Sequence, residues 1–231
     1  MRPDIAAALE ATWPAASFRD IGPFRLRDGA GGGKRVSAAT VLGGWGLPDL
    51  LRAEAALDGS ALFRLDADDV ALDNALAARG YRKLDPTLIY AAPVAGMQAA
   101  LPPLACFAHW PPLEIAGDLW AEGGIGPARL AIMHRVAGDK TAILSRCKDR
   151  TAGIAFVACD GPVAMLHALE VAPALRRLGA ARNTLQAAVN WAADRGADTL
   201  ALAVTEANSP ARALYASFGM QGVGQYHYRQ K

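Results

Sequence analysis

The residues with the clearest chemical potential lie at positions 167–186, in the segment HALEVAPALRRLGAARNTLQ. An apolar run ends there in a basic turn, and a helical pattern follows the turn. The unpaired N–H groups at a helix N-terminus, together with the positive end of the helix dipole, bind phosphate groups. Arg176 and Arg177 add charge, while Gly179 and Ala181 keep the turn small where a ligand approaches the backbone. The spacing predicts a phosphate or pyrophosphate site; the alternative is an ordinary strand-to-helix connection with solvated arginines.

Further downstream, a second apolar run at residues 199–205 precedes Asn208 and a short helical pattern that carries Tyr215. The predicted order is therefore strand, Arg/Gly turn, helix, strand, Asn-containing loop and helix. This order, together with the Arg-x-x-Gly-x-Ala spacing of the turn, resembles the GNAT superfamily of acyl-CoA N-acyltransferases. Ala181 departs from the commoner glycine, although the family accepts alanine there.

The resemblance is strongest over residues 142–229 and extends back to about residue 93. It implies an α/β fold with a mixed, mostly antiparallel sheet flanked by helices. Because the turn holds the pyrophosphate of coenzyme A in this family, the resemblance also implies acetyl-CoA as the acyl donor. The implied cofactor-binding residues come from the strand end, the turn and the downstream helix: Leu169, Val171, Arg176, Arg177, Leu178, Gly179, Ala180, Ala181, Asn208 and Arg212.

Some of these residues have alternative roles. The resemblance assigns the backbone N–H of Val171 to the developing oxyanion. Asn208 either reaches the cofactor or serves as an ordinary helix N-cap. Arg212 either contacts the nucleotide phosphates or is an exposed helix arginine. No metal site is expected, because the histidines and cysteines show no ligand spacing.

Three side chains are candidates for the acid and base chemistry of amine acylation. His167, with an unperturbed pKa of about 6.5, is the first choice for the base; the alternative is a packed histidine bonded to a backbone carbonyl. Glu170 is the competing base. The resemblance assigns Tyr215 to protonate the coenzyme thiolate, and the alternative is an aromatic residue of the core.

Strand alternation predicts the directions of these side chains. It places His167, Leu169 and Val171 on one face and Ala168 and Glu170 on the other, unless a bulge intervenes. The surrounding residues also resemble the arylalkylamine N-acetyltransferase branch, which has a second histidine where this chain has Met165. In the last predicted strand Tyr226 and Tyr228 share a face, with His227 opposite, and either line the acceptor pocket or pack on a neighbouring strand.

The first half of the chain contains a weak internal repeat, because residues 61–92 align with residues 200–230. In that alignment Leu76 takes the position of Tyr215, and no Arg/Gly turn precedes it. We therefore expect a degenerate GNAT-like module over residues 1–92, a Pro-rich linker over 93–112 and a catalytic domain over 113–231. A coincidental strand-helix-strand similarity is the alternative. The segment DGAGGGK lacks the spacing of a P-loop and predicts a hairpin between two strands.

Periodicity and breakers predict the remaining elements. Helices are expected over residues 5–12, 114–120, 128–136, 182–195 and 210–218. Strands are expected over residues 24–27, 35–42, 141–146, 154–159, 163–171, 199–204 and 224–229.

Composition limits the classes of partner. A net charge of +2 with interspersed signs argues against nucleic acid. The uncharged segment at residues 86–108 is broken by prolines, so no membrane association is expected. Three cysteines without metal or C-x-x-C spacing, and no signal peptide, predict a cytoplasmic protein.

The resulting hypothesis is an acetyl-CoA-dependent N-acetyltransferase in which the amine attacks the thioester directly. The acceptor is a small-molecule or peptide amine, and the protein is a monomer or homodimer. The alternative is a catalytically inactive acyl-CoA-binding module for regulation or assembly. A nucleotide-binding α/β protein ranks last, because the chain lacks a G-x-G-x-x-G turn.

Overall fold

A computed structural model describes residues 1–57 and 61–231. The first half of the chain contains four helices and five strands within these residues. In order they are α1 (Pro3–Ala11), β1 (Ser17–Ile21), β2 (Phe24–Asp28), α2 (Lys34–Ser37), β3 (Thr40–Val41), α3 (Leu47–Ala56), β4 (Leu62–Asp66), α4 (Val70–Ala78) and β5 (Arg82–Pro93).

The second half adds four helices, six strands and one 3₁₀ turn. They are β6 (Cys106–His109), α5 (Glu114–Glu122), α6 (Pro127–Arg135), β7 (Lys140–Cys147), β8 (Arg150–Asp160), β9 (Val163–Val171), the 3₁₀ turn (Pro173–Leu175), α7 (Ala180–Asp194), β10 (Thr199–Thr205), α8 (Ser209–Ser217) and β11 (Gln221–Gln230).

One eight-stranded sheet organises both halves, in the order β4-β11-β5-β10-β9-β8-β7-β6. All neighbouring strands are antiparallel except β9 and β10, which are parallel. Strands β1, β2 and β3 form a separate small sheet. The predicted α/β class with a mixed, mostly antiparallel sheet is confirmed.

The last strand of each half lies between two strands of the other half. β5 lies between β10 and β11, and β11 lies between β5 and β4. The register is reciprocal: Ala201 pairs with Ala91, and the residues shifted by 139 positions, Leu62 and Gln230, also pair with each other. The same shift of 139 residues relates every pair of the β4–β11 ladder to a pair of the β10–β5 ladder. The strands β4, β11, β5 and β10 are therefore related by an approximate two-fold axis that passes between β5 and β11.

Helices cover both faces of the second-half sheet. On one face α7 packs its apolar side against β7 to β10, and Leu185 and Val189 are fully buried there. On the other face α5 and α6 bury Trp120 and Ile132 against β8. α1 continues this second face by burying Leu9 against β9 and β10. Each such side chain stabilises the fold by about 1.5–3 kcal/mol relative to exposure.

Local signals predict the second half well. The helices α5 to α8 and the hairpin β7–β8 are confirmed to within a few residues. Gly196 ends α7 as expected, because its φ of +72° suits glycine and the next N–H donates back into the helix.

Two expectations in the first half and the linker need correction. The strand predicted over residues 35–42 is wrong, because the chain forms α2 and then the two-residue β3. The glycine-rich segment before it therefore leads into a helix. Residues 93–112, predicted as a linker, also contain β6, which pairs with β7 at the sheet edge. Within the described residues, every helix is too short or too polar to cross a bilayer.

Candidate active site

A β-bulge in β9 sets the directions of the candidate residues. His167 pairs with Phe156, and Glu170 pairs two residues further along β8, so Ala168 and Leu169 together stand opposite one residue. Ala168 has a φ of +52°, an uncommon value for a residue other than glycine. The extra residue reverses the alternation, so His167 and Glu170 lie on the same face of the sheet.

The alternation predicted from the sequence is therefore wrong beyond His167. Ala168 packs with the cluster of α5 and α6, on the same face as His167. Leu169 and Val171 lie on the opposite face, where Leu169 packs with the cluster of α7. The physical reason is the bulge, which inserts one residue without a partner into the ladder.

β9 and β10 separate at the same point. Their parallel pairing runs from Val163 and Thr199 to Leu166 and Leu202 and ends there. Beyond that point β9 continues along β8 and β10 continues along β5, so a wedge opens between β9 and β10. Main-chain groups along the wedge have no ladder partner across it. The Ala168 and Val171 carbonyls accept from the side chains of Trp120 and Arg176.

The Arg/Gly turn leads from β9 into α7 at the mouth of this wedge. Gly179 has a φ of +89° and open space around its α-carbon, and no side chain of the described residues caps the first turn of α7. The N–H groups of Ala180 and Ala181 are therefore left without a side-chain capping acceptor. Arg176 and Arg177 are both exposed, and Arg176 Nε donates to the Val171 carbonyl at 3.1 Å. The turn fits a phosphate ligand of the kind expected from the sequence.

His167 is buried between elements of both halves. Its Nδ1 lies 3.2 Å from Arg35 Nη1, and its Nε2 lies 2.8 Å from Thr12 Oγ1. Because a guanidinium can only donate, Nδ1 accepts and Nε2–H donates to Thr12, whose hydroxyl donates to the Ala8 carbonyl. Burial, and secondarily Arg35, holds the pKa of His167 well below its usual value. The imidazole is neutral at pH 7, and its lone pair is engaged by Arg35.

Glu170 has a different environment. Burial raises the pKa of the half-buried carboxyl, although Arg176 and Arg129 oppose the rise. Its side chain lies against Gly123, directly after α5, where an added Cβ would come within 2.6 Å of Glu170 Cγ. The absence of a side chain at position 123 therefore makes room for the carboxyl group.

Tyr215 lies on α8, and its ring centroid is 6.0 Å from that of Tyr90. Burial, supported by the negative charge of Glu170, raises the pKa of Tyr215 to about 12. The phenol therefore keeps its proton at neutral pH and can act as a donor.

The other two candidates on α8 make local contacts. Asn208 is the N-cap, and its Oδ1 accepts a hydrogen bond of 3.2 Å from the Ala211 N–H. Arg212 Nη1 donates to the Glu206 carbonyl at 3.0 Å. The buried Nε of Arg212 has no partner among the described residues. Both local roles are compatible with a ligand on the same side of the helix N-terminus.

A cavity of about 450 Å³ lies on the face that carries His167. Both halves line it: Trp13 and Arg35 come from the first half, and Ile125, Arg129 and His167 from the second. Tyr226 and Tyr228 also line the cavity, while His227 faces away and bonds to Asp73. The shared face of the two tyrosines is thus confirmed. The volume suits a small organic ligand or one end of a larger one.

A protein-family model matches part of the chain. Residues 134–220 match the model of the Acetyltransferase (GNAT) family. That range contains β7 to β10, the bulge, the Arg/Gly turn and α8.

Residues 134–220 are a GNAT-family domain. The match supports an acyltransferase, and the resemblance seen in the sequence is confirmed.

Two kinds of relative extend the similarity over nearly the whole chain. It is 24% identical over 241 residues to the uncharacterized N-acetyltransferase YobR of Bacillus subtilis (strain 168), covering 96% of this chain and 95% of YobR. A GCN5-related N-acetyltransferase from Kribbella flavida has a TM-score of 0.73 at 18% identity, covering 98% of this chain and 94% of that one. A tandem GNAT protein from the clavulanic acid biosynthesis pathway has a TM-score of 0.63 at 16% identity, covering 90% and 77%. The likeness to the solved structures shows the fold.

Several residues of this site were not predicted from the sequence. Thr12, Trp13, Arg35 and Arg129 lie far along the chain from the Arg/Gly turn and meet His167 only through tertiary structure. The glycine run before Arg35 was a local signal, but its pattern indicated a hairpin rather than a helix that enters the cavity. No sequence pattern indicated a role for Gly123, because that role depends on the position of Glu170 in the fold.

Proposed function

We propose that the protein is an acetyl-CoA-dependent N-acetyltransferase in which the acceptor amine attacks the thioester directly within a ternary complex. One observation carries the proposal. The wedge between β9 and β10 connects an uncapped, basic helix N-terminus with a cavity beside His167 on the other face of the sheet. A donor and an acceptor that enter from opposite faces would meet at the bulge.

The donor site follows from the turn. The N–H groups from Leu178 to Ala181, with Arg176 and Arg177, bind the pyrophosphate of coenzyme A. Leu169 and Val171 lie on the face towards α7 and contact the arm of the cofactor along the wedge. The N–H of Val171 donates to the carbonyl oxygen as negative charge develops on it. Asn208 and Arg212 border the same side from α8.

The acceptor nitrogen forms a bond to the thioester carbonyl carbon, and the C–S bond breaks. Glu170 takes the amine proton, directly or through a water, because no described cation pairs directly with its carboxyl and its pKa is raised towards neutrality. Tyr215 donates its phenolic proton to the departing thiolate and recovers one from solvent. The lone pair of His167 already accepts a hydrogen bond from Arg35. His167 therefore forms part of the cavity wall and does not take the proton.

The first half of the chain has a proposed role in this scheme. We regard it as a degenerate GNAT-like module, because the strand register repeats with a shift of 139 residues while no Arg/Gly turn precedes α4. Its contribution is to close the acceptor side, since α1 and α2 bring Trp13 and Arg35 into the cavity. A cytoplasmic location is part of the proposal, in keeping with three free cysteines.

Isothermal calorimetry with acetyl-CoA tests the donor site. We expect binding by the unmodified protein and its loss in the Arg176→Ala, Gly179→Asp double variant, which removes a cation and places a carboxylate beside the pyrophosphate. Thiol release with a panel of amines then tests transfer. Binding without release for every amine would favour the inactive acyl-CoA-binding module, and no binding by a folded protein would contradict the proposal.

A further inference from the structure

Arg35 is the least expected charge in the cavity. Its guanidinium donates to His167 Nδ1 and lies 5.9 Å from the ring centroid of Trp13. Its other polar neighbours are the phenol groups of Tyr226 and Tyr228. No carboxylate of the described residues forms an ion pair with it. A guanidinium carries five N–H donors, and the polar partners of Arg35 here, one imidazole and two phenols, are all neutral in their usual states.

The surroundings make this arrangement costly unless an anion completes it. Arg35 is half-buried, and a charge partly taken out of water without a counter-ion is unfavourable. Although burial opposes the ionisation of Tyr226, the charge of Arg35 and the hydrogen bond with Tyr228 lower the pKa of that phenol. The surroundings of Arg35 therefore favour an anion.

The other charged residues of the cavity do not balance the positive charge of Arg35. Lys34 is already paired with Asp85, whose carboxylate lies 2.6 Å from the ammonium group. Arg129 adds a second positive charge near Gly33. The cavity therefore has an excess of positive charge, with aromatic walls from Trp13 and Tyr226.

We propose that the acetyl acceptor is an amine that also carries a carboxylate, and that Arg35 binds this carboxylate as the specificity-determining residue. This inference rests on the proposed function and names the substrate class of its acceptor site. The planar fork of an arginine matches a carboxylate with two parallel hydrogen bonds. A phosphate group would draw on both Arg35 and Arg129, so the aminophosphonates in the test below distinguish it from a carboxylate. The aromatic walls accommodate an apolar part of the acceptor.

Matched acceptors provide the first test. The acetylation rate is measured with amino acids, with the corresponding amino acid amides and with the corresponding aminophosphonates. We expect kcat/KM to be about 100-fold higher for the carboxylate than for the amide of the same side chain, as for a buried charged hydrogen-bonded pair. Equal rates for acid and amide, or a preference for the phosphonate, would overturn the inference while leaving the transferase function intact.

Variants of Arg35 provide the second test. Arg35→Met should reduce kcat/KM for the carboxylate by about 100-fold and leave the amide nearly unchanged, whereas Arg35→Lys should recover part of the loss. If Arg35 served only to position His167, both acceptors would lose activity equally. Arg25→Met is the control, because Arg25 forms an exposed pair with Asp20 outside the cavity and should affect neither acceptor.

Product binding separates this inference from the proposed function. Calorimetry with N-acetyl amino acids and their amides requires no turnover. Preferential binding of the acids that is lost in Arg35→Met would support the carboxylate site even if no acceptor of the panel were acetylated. Failure of acetyl-CoA to bind would instead contradict the proposed function, and equal binding of acids and amides would contradict the inference about Arg35.

Discussion

Arg35 Nη1 donates to His167 Nδ1 across 3.2 Å, which joins α2 of the first half to β9 of the second half. The contact fixes the tautomer of the imidazole, because Nδ1 must accept and Nε2–H then donates to Thr12. A histidine whose lone pair is engaged in this way, and whose pKa is depressed by burial and by Arg35, is poorly suited to take a proton. This geometry supports the proposed assignment of Glu170, instead of His167, as the base.

Replacement of His167 tests its role directly. His167→Gln keeps one acceptor and one donor, so the contacts with Arg35 and Thr12 can persist. We expect kcat to stay within about 10-fold of the unmodified protein, whereas loss of a general base lowers rates by about 100- to 10,000-fold. Steady-state kinetics with any accepted amine provides the measurement, and a fall of the larger size would restore His167 as the base.

Replacement of Glu170 should have the larger effect. Glu170→Gln should lower kcat by about 100-fold or more at pH 8. The ratio of unmodified to variant kcat should fall towards one as the pH drops through the raised pKa of Glu170, because the base is then protonated. The ratio cancels the ionisation of the acceptor amine, which is common to both proteins. A ratio that is independent of pH would argue that Glu170 has another role.

Removal of the Tyr215 hydroxyl should slow departure of the thiolate. Tyr215→Phe keeps the ring that packs on Tyr90, so we expect a normal fold and a kcat lower by about 10- to 100-fold. Because the pKa of Tyr215 is raised to about 12, the unmodified protein should show no loss of this acid between pH 7 and 10. An unchanged kcat in Tyr215→Phe would indicate that solvent protonates the thiolate.

A change at Gly123 should disturb catalysis without a change to any candidate catalytic side chain. The backbone of Gly123, with φ −80° and ψ 4°, accepts alanine, but the new Cβ would collide with Glu170 Cγ. Gly123→Ala should therefore lower kcat by about 10- to 100-fold, as expected for a misplaced base, and leave the Kd of acetyl-CoA unchanged.

The matched control lies in α5. A Cβ added at Gly117 would meet no atom of the described residues within 4 Å, so Gly117→Ala should leave kcat unchanged and stabilise the helix by about 0.5–1 kcal/mol. Equal kinetics for the two alanine variants would show that Gly123 does not constrain Glu170.

An ion-pair group between the halves should make stability depend on pH. Asp73 of α4 accepts from Arg229 Nε at 2.6 Å and from His227 Nε2 at 2.8 Å, both on β11. The hydrogen bond from Arg229, against the opposing effect of burial and with help from His227, lowers the pKa of Asp73 to about 2. A lowered folded-state pKa contributes stability above the unfolded value of about 3.8, and that stability is lost as the pH falls towards 2.

Urea denaturation measures this contribution. Asp73→Asn should reduce the free energy of unfolding by about 1–2 kcal/mol at pH 6, after allowance for partial exposure, and by much less near pH 2.5. Asp20→Asn, which removes an exposed partner of Arg25, should change little at either pH. A difference for Asp73→Asn that persists at low pH would point to packing instead of charge.

The parts of the site that are local in sequence could be predicted. The Arg/Gly turn, the helix that follows it and the Asn208 cap each depend on residues within one or two turns, so composition and spacing suffice. The strand that carries His167 was likewise predictable. Its direction beyond His167 was not, because the bulge rests on a positive φ at Ala168, and alanine gives no sign of such a conformation.

The parts of the site that depend on how the two halves assemble could not be predicted from the sequence. Arg35 enters the cavity because α2 packs under the sheet, and the four-residue length of α2 leaves almost no periodicity to recognise. The internal repeat suggested two similar units, but similarity of pattern does not specify which strand lies beside which. Only the observed strand pairing shows that β5 lies between β10 and β11.

That insertion has a consequence for how the polypeptide can fold and be divided. If the chain were cut between β5 and β6, the piece with the Arg/Gly turn would keep β10 but lose the strand that separates it from β11. β11 would lose both neighbours, and β10 would expose an unpaired edge of the kind that aggregates. The two pieces should therefore be insoluble when made separately and should recover structure only when made together. The protein should correspondingly unfold in a single cooperative transition, in which a molecule that opens one half also dismantles the sheet of the other.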